Sequence, residues 1–249
     1  MAGSVPITSN KHALGRFAPR SATWNVQIEQ RISRLVRLRA LYANSRSAGL
    51  VVLDQNFLDT SNTLPLNGRG RSIYRQAELS ARIESKNGQQ LFLAYTRSRA
   101  QGSLNDFSNF VGNFPAPLIH PNVFSNLSGD LPNRFLAWGN LNVFGGLQFL
   151  PLVEYRTGLP YAQFDVLGDY VGTPNSDKSR FPGFLNADAR LLKDVKVNPK
   201  YTLRFSVSGF NLTNHFNALA VHANIADPQF GTFFGNYHLR YRADFDVLF

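Results

Sequence analysis

Histidine is the side chain in this sequence whose type would best support metal binding. The five histidines are His12, His120, His215, His222 and His238, and only His215 and His222 stand close together, seven positions apart. That spacing matches no zinc-ligand pattern, and cysteine, the other common ligand, is absent. We therefore expect His215 and His222 to be solvated loop residues, and we predict no metal site.

Two charged pairs could be mistaken for catalytic groups. Asp188 with Arg190, and Asp244 with Asp246, each stand two positions apart in segments of alternating polarity. Side chains at i and i+2 lie on the same face of a strand. Polar residues among arginines on one strand face are typical of the polar inner wall of a barrel. No Ser, His and Asp set has a supporting context, so we predict no catalytic residue, no cofactor and no enzyme.

A glycine pair, Gly68 and Gly70 around Arg69, is the only stretch that hints at a phosphate-binding loop. Such loops lie between a strand and the start of a helix, where backbone N–H groups converge on the phosphate. The surrounding residues do not predict a strand, a turn and a helix in that order. We therefore do not interpret this pair as a nucleotide site.

The last thirteen residues show what kind of element carries these side chains. Every odd position is apolar and all but one of the even positions are polar; the odd set is Tyr237, Leu239, Tyr241, Ala243, Phe245, Val247 and Phe249. A period of two predicts a strand with one apolar and one polar face. Crossing the hydrocarbon core of a bilayer takes about 9–11 tilted strand residues. The segment is therefore long enough to be a transmembrane strand, or else the edge strand of a soluble sandwich.

Composition excludes several classes of protein. None of the 249 residues belongs to an apolar run long enough for a transmembrane helix, which needs about 20 residues. The net charge of +10 is spread over single arginines with interleaved acids, so a nucleic-acid-binding protein is not expected. The first residues do not form a secretory signal. We expect either a cytosolic protein or the back part of a longer chain.

The order of connections favours a membrane barrel over a sandwich. Alternating segments predict nine strands, near residues 22–29, 36–42, 73–83, 91–95, 133–143, 147–157, 185–191, 203–207 and 237–249. Short links near 33, 87, 145 and 197 alternate with long ones at about 44–70, 100–132, 158–182 and 213–235. Up-and-down membrane barrels have this asymmetry, with short periplasmic turns and longer extracellular loops. We predict an irregular segment over 1–20 and an all-β, antiparallel, partial outer-membrane barrel over 21–249.

Aromatic residues fall on the apolar side of several predicted strands. This set comprises Trp24, Tyr42, Tyr95, Tyr155, Tyr237 and Tyr241. In a membrane such residues form girdles at the two interfaces, whereas in a sandwich they would belong to the core. Their common phase favours the girdle.

An ordered set of motifs resembles a known family. The motifs are Asp130-Leu-Pro-Asn-Arg134, Phe184-Leu-Asn-Ala-Asp188-Ala-Arg190 with Lys193, Phe210-Asn-Leu-Thr-Asn-His-Phe-Asn217, Asp227-Pro-Gln-Phe-Gly231 and Asp244-Phe-Asp-Val-Leu-Phe249. In this order they are similar to the C-terminal part of a TonB-dependent outer-membrane receptor of the Oar-like, acidobacterial type. The similarity weakens towards about Arg20.

The resemblance implies a plugged barrel that imports nutrients across the bacterial outer membrane. It implies outer-membrane lipid, a plug domain, TonB and an unidentified solute as partners. The plug, the TonB contact and the signal peptide belong to N-terminal parts that we expect this fragment to lack. Nine strands are also fewer than the roughly 22 of such transporters. A complete small porin-like channel and a soluble β-sandwich that binds glycans remain the alternatives.

Overall fold

A computed structural model describes residues 13–14, 17–53, 66–85, 87–104 and 122–249 of the chain. Nine long strands dominate it: β2 (Arg20–Arg31), β3 (Val36–Leu53), β4 (Leu66–Glu84), β5 (Gln90–Leu104), β7 (Asn133–Asn142), β8 (Leu147–Arg156), β9 (Phe184–Lys196), β10 (Thr202–Phe210) and β13 (Arg240–Leu248). Four short strands accompany them: β1 (Ala13–Leu14), β6 (Val123–Asn126), β11 (Ala220–Val221) and β12 (Phe233–Phe234). A 3-10 turn occupies Phe144–Gly146. Within the described residues, no helix is long and apolar enough to cross a membrane.

The nine long strands form one antiparallel meander. Their order in the sheet is β13-β10-β9-β8-β7-β5-β4-β3-β2, so each strand pairs with its neighbours among the long strands. In the described part of the chain, β2 and β13 each pair on one side only. Both the number of strands and the up-and-down topology agree with the sequence prediction. The second packed sheet that a sandwich requires is not present among the described residues, where β11 and β12 form the only other sheet.

Alternation along the strands divides the sheet into two faces. The apolar face carries, for example, Val26, Leu38, Leu79, Phe205 and Phe245, and cross-strand pairs such as Ala40 with Leu79 and Phe205 with Phe245 keep one parity from strand to strand. The polar face carries the intervening residues. Register is specified by this pattern, because a slip of one residue would move every side chain to the other face.

Burial is inverted relative to a soluble protein. Among the described aliphatic and aromatic residues only Val52 and Leu192 are buried, whereas eleven polar or charged residues are. Phe205 is 47% exposed and Phe245 56% exposed, while Ser206, which follows Phe205 in β10 and lies on the other face, is 4% exposed. The chain therefore leaves its apolar face uncovered and crowds its polar face.

The connections alternate in length as the sequence predicts. Four short turns join the strands within each hairpin: residues 32–35, 85–89, 143–146 and 197–201. Longer segments lie between one hairpin and the next long strand: residues 54–65, 105–132, 157–183 and 211–239. Residues 54–65 and 105–121 lie outside the described part. The short turns stand at one end of the sheet, called the turn end here, and the opposite end, where β3, β5, β8 and β10 finish, is called the loop end.

Three strands extend further towards the loop end than predicted. β3 reaches Leu53, β4 begins at Leu66 and β5 reaches Leu104, so much of the predicted loops 44–70 and 100–132 is strand. These extensions do not alternate, because Asn44 to Ser47 are polar on both faces and Leu50 to Val52 are apolar on both, and they therefore carry no period-two signal. Hydroxyl pairs across the strands, such as Thr23 with Ser45 at 2.8 Å, support the ladder there.

The turn at residues 85–89 is not the two-residue type I′ turn that the Asn87-Gly88 sequence favours. A type I′ turn requires positive φ at two central residues, but only Gly88 has it, at 76°. The backbone N–H of Gly88 donates to the carbonyl of Ser85, and the Ser85 hydroxyl accepts from the N–H of Asn87. A five-residue connection closed by Ser85 therefore replaces the two-residue turn.

Pro151 remains inside β8, although proline cannot donate to a ladder. It pairs with Ala189 of β9, whereas on the β7 side the register passes from Trp138 with Leu152 to Leu141 with Phe149. The unpaired interval on the β7 side accommodates the missing N–H. The predicted strand is therefore confirmed, with a gap in one of its two ladders.

The N-terminal segment is described only in part. Ala13 and Leu14 pair in parallel with Leu66 and Asn67 of β4, and β2 begins at Arg20. Residues 1–12 and 15–16 lie outside the described residues. The division at residue 20 stays a prediction.

Candidate solute-facing surface of the sheet

Ion pairs hold the polar face together. Six of the ten described salt bridges join side chains on this face: Arg37–Glu29, Arg82–Glu84, Arg134–Glu154, Arg156–Glu154, Arg204–Asp194 and Arg242–Asp244. Arg204 binds both carboxylate oxygens of Asp194, at 2.8 and 2.9 Å. No aspartate or glutamate lies on the apolar parity of the nine long strands. The polar face can therefore present both signs of charge to a hydrated solute or to another polar protein surface.

The two charged pairs singled out in the sequence meet on this face. Asp188, Arg190, Asp244 and Asp246 line one depression of about 410 Å³ that spans β8, β9, β10 and β13. Asp188 accepts a hydrogen bond from the backbone N–H of Asn211, at 2.8 Å. Arg190 donates to the hydroxyl of Ser206, at 2.7 Å. A backbone N–H holds Asp188 and Arg242 holds Asp244, and Asp246 lies opposite Arg204 in the register, so the geometry of these carboxylates fits a polar wall.

A small apolar patch interrupts the polar face, and sequence analysis did not identify it. Phe92 and Trp138 lie directly opposite each other on β5 and β7, with ring centroids 5.5 Å apart. Leu152 of β8 is the next residue across from Trp138. The available signal was phase, because Phe92 shares the parity of Gln90 and Thr96 rather than that of Leu91 and Leu93. Aromatic rings on a hydrated wall can stack on planar or apolar parts of a solute.

The long connections pack against one another at the loop end. Tyr161, Phe181 and Phe233 form a ring cluster with centroid distances of 5.4 to 6.1 Å, which joins the connection after β8 to the connection after β10. Arg180 adds a polar link, because it donates to the buried carboxylate of Asp130 and to Asp177. The hydrogen bond from Arg180 lowers the pKa of Asp177 below its ordinary value. These contacts order the connections at the loop end of the sheet.

The described histidines take local roles in these connections. The Nδ1 of His222 lies 2.8 Å from a carboxylate oxygen of Asp227, and its ring contacts Phe234. The N–H of Gln229 and, next, the ring of His222 lower the pKa of Asp227. His215 contacts the side chain of Asn217. His215 and His222 therefore each have a separate local partner; His12 and His120 lie outside the described residues.

No metal-binding cluster of three or more His, Asp or Glu side chains occurs among the described residues. Gly68 and Gly70 lie inside β4 rather than between a strand and a helix. The expected absence of a phosphate loop at this position therefore has a structural reason.

Aromatic residues border the apolar face on its loop side. Trp24, Tyr42, Tyr95 and Tyr155 lie on the apolar parity of β2, β3, β5 and β8, and Tyr241 on that of β13. The rings of Trp24 and Tyr42 are 5.3 Å apart. Tyr237 lies before β13 begins, and its carbonyl accepts from the side chain of Asn211. These residues share the parity that the sequence predicts, except that Tyr237 belongs to a connection, and the girdle itself stays a prediction.

Comparison with known proteins gives structural neighbours only. No protein-family model and no curated protein sequence matches the chain. The ferric-catecholate import receptor Fiu from Escherichia coli K12, in its closed form, is similar with a TM-score of 0.59 at 15% identity, over 95% of this chain and 30% of that one. The outer-membrane transporter YddB from Escherichia coli is similar with a TM-score of 0.61 at 12% identity, over 97% of this chain and 34% of that one.

One neighbour is an import receptor and the other is a transporter. At 12–15% sequence identity, the similarity shows a shared fold and no more. This chain spans about a third of the length of each. The meander, its exposed apolar face and these structural neighbours all indicate the same fold. The chain has the all-β, antiparallel, up-and-down fold of part of an outer-membrane transporter barrel.

Proposed function

We propose that this chain forms part of the barrel wall of a TonB-dependent receptor that imports a nutrient across the bacterial outer membrane. The observation that carries the proposal is the pairing of an uncovered apolar face with an ion-paired polar face on one meandering sheet. No described part of the chain covers the apolar side of this sheet, so in water that side would stay exposed to solvent. In a membrane barrel the lipid covers it, and backbone groups are satisfied between strands.

The polar face would line the interior. Arginines and carboxylates there would contact a hydrated solute, and the Phe92–Trp138 patch would contact its apolar part or a plug domain. This role requires no bond making or breaking, so the proposed function is not enzymatic. The ordered motifs from Asp130 to Phe249 support the finer assignment to the Oar-like, acidobacterial type, with TonB as the source of energy.

The open edges support a larger barrel. In the described residues, β2 and β13 pair on one side only, and an unpaired backbone group in lipid costs several kcal/mol. Further strands that cover both edges would remove this cost. We therefore regard the nine strands as a fragment of a wall that other segments complete.

Single cysteines test the proposal directly, because the chain contains none of its own. The full gene product would carry either Phe245→Cys, on the apolar face, or Asp246→Cys, the next residue on the polar face. Outer-membrane fractions would then be treated with a water-soluble maleimide. We expect Asp246→Cys to react and Phe245→Cys to be protected, because lipid covers only the apolar side.

Phe205→Cys and Arg204→Cys on β10 provide an independent matched pair. Equal labelling at all four positions, or recovery of the protein outside the outer-membrane fraction, would contradict the proposed function. Uptake of the solute in cells with and without TonB then tests the energy source separately.

A further inference from the structure

Three arginines lie on the apolar face of the sheet, next to the row of aromatic residues and towards the loop end. Arg75 of β4 and Arg97 and Arg99 of β5 share the parity of Leu79 and Tyr95, so they lie on the apolar face towards the loop end. We refer to these three residues as the arginine patch. All three side chains are exposed.

The arginine patch contains a like-charge pair in register. Arg75 and Arg99 are direct cross-strand partners, and like charges in that position destabilise a sheet. Arg97 is two residues from Arg99, and its guanidinium donates to the neutral side chain of Asn133, at 3.0 Å. In the described part of the chain, Asp177 is the one carboxylate at ion-pair distance, 3.4 Å from Arg99, and Asp177 also binds Arg180.

A second arginine pair shows how the chain compensates such contacts elsewhere. Arg37 and Arg82 are also direct cross-strand partners, on β3 and β4, but on the polar face. Each has its own acid, Glu29 at 3.3 Å and Glu84 at 2.5 Å. The arginine patch therefore carries an excess of positive charge, whereas the positive charges of Arg37 and Arg82 are each balanced by a glutamate.

The shape and position of the arginine patch indicate what kind of ligand would neutralise its excess positive charge. The patch lines a depression of about 500 Å³ together with Tyr42 and the overhanging residues Pro132 and Asp177. Ala77, which lies directly opposite Arg97, and then Leu79 continue the apolar face towards the turn end. A ligand seated here would carry negative charge at one end and hydrocarbon at the other.

We propose that the arginine patch binds the phosphate-bearing headgroup of a lipid in the outer leaflet, with its acyl chains along Ala77 and Leu79. Guanidinium groups bind phosphate oxygens through paired, charge-assisted hydrogen bonds. A phosphate between Arg75, Arg97 and Arg99 removes the repulsion in register. This inference rests on the proposed function for the orientation of the sheet in the outer membrane.

The test uses the full gene product purified from outer membranes in mild detergent. Native mass spectrometry would follow its titration with phosphorylated lipid A and, in parallel, with enzymatically dephosphorylated lipid A. We expect the phosphorylated lipid to bind more tightly. The double variant R75Q/R97Q should bind it about tenfold more weakly, because two charge-assisted contacts are lost.

The matched control is R37Q/R82Q, which removes the same charge from the same sheet on the other face and should leave lipid binding within about twofold, since those side chains contact no lipid. R75K/R97K keeps the charge without the planar guanidinium, so its affinity for the phosphorylated lipid should lie between those of the wild type and R75Q/R97Q. If R75Q/R97Q folds poorly, the comparison of R75K/R97K with the wild type still tests the inference. Equal binding of both lipids, or an equal loss in R75Q/R97Q and R37Q/R82Q, would overturn the inference while leaving the proposed function intact. Absence of the protein from the outer membrane would overturn both.

Discussion

Arg180 donates a hydrogen bond of 2.5 Å to the carboxylate of Asp130, fifty positions earlier in the chain. Asp130 is 1% exposed, and its other oxygen accepts from the backbone N–H of Ala100 at 2.6 Å. Arg180 also donates to the carbonyls of Asp130 and Gly158. One buried pair thus ties β5 and the connections on either side of β7 and β8 into one unit at the loop end.

Asp130→Ala should release these connections. Removal of one partner from a buried ion pair costs about 3–5 kcal/mol, because the other charge is left uncompensated. We expect protease cleavage within residues 122–183 of the purified protein to become roughly a hundredfold faster, if cleavage follows local opening. Asp169→Ala, which removes an exposed carboxylate from the connection that holds Arg180, is the control. Unchanged cleavage in Asp130→Ala would contradict the structural role of the pair.

Acid should weaken the contact between Asp177 and Arg180. The pKa of Asp177 is lowered in the folded protein, first of all by the hydrogen bond from Arg180. A lowered pKa means that the contribution to stability is complete above the ordinary carboxyl pKa and is lost as the pH falls through the folded value. The stability difference between the wild type and Asp177→Asn should therefore be constant at neutral pH and shrink below about pH 4. A difference that shrinks between pH 8 and 6 would assign the effect to another group.

The two tryptophans report on opposite faces of the sheet. Trp24 lies on the apolar face, and Trp138 lies on the polar face beside Phe92. In lipid vesicles, brominated lipid should quench the fluorescence of Trp138→Phe, which retains Trp24, much more than that of Trp24→Phe. Aqueous iodide should show the reverse preference. The same quenching order for both variants would show that the faces are not separated by lipid.

The 249-residue chain expressed alone behind a signal peptide should fail to form a closed barrel. Its edge strands β2 and β13 leave backbone groups without partners in the described residues, and lipid cannot supply them. We expect degradation or aggregation in the periplasm, while the full gene product reaches the outer membrane. Heat-modifiable migration of the 249-residue chain in gel electrophoresis would instead support the small porin-like channel.

Much of the sheet was predictable because its two faces differ chemically. Alternation at Leu79 to Ile83 or Leu203 to Val207 specifies both the strand and the side of each residue, and the turn at Gly145 and Gly146 follows from residues that adopt positive φ. The extended ends of β3, β4 and β5 were missed because their residues do not alternate between polar and apolar. There the ladder depends on the neighbouring strand rather than on a local pattern.

The polar wall could be inferred as a class, but its particular contacts could not. Asp188 and Arg190 were expected on the wall, and the structure places them there. The Arg180–Asp130 pair depends on how two long connections meet, which no local spacing encodes. Likewise, Arg75 and Arg99 become partners only once the register between β4 and β5 is known.

The simple order of the meander has a consequence for how such a wall can change over time. In the described part of the chain, each long strand pairs with no long strand other than its neighbours in sequence, and Val52 and Leu192 are the only buried residues among the aliphatic and aromatic ones apart from proline. A whole hairpin can therefore be duplicated or deleted by joining equivalent strand edges, without repacking an interior. Stability then accumulates approximately repeat by repeat, as in one-dimensional arrays. The circumference of the wall becomes a trait that recombination of hairpins can adjust.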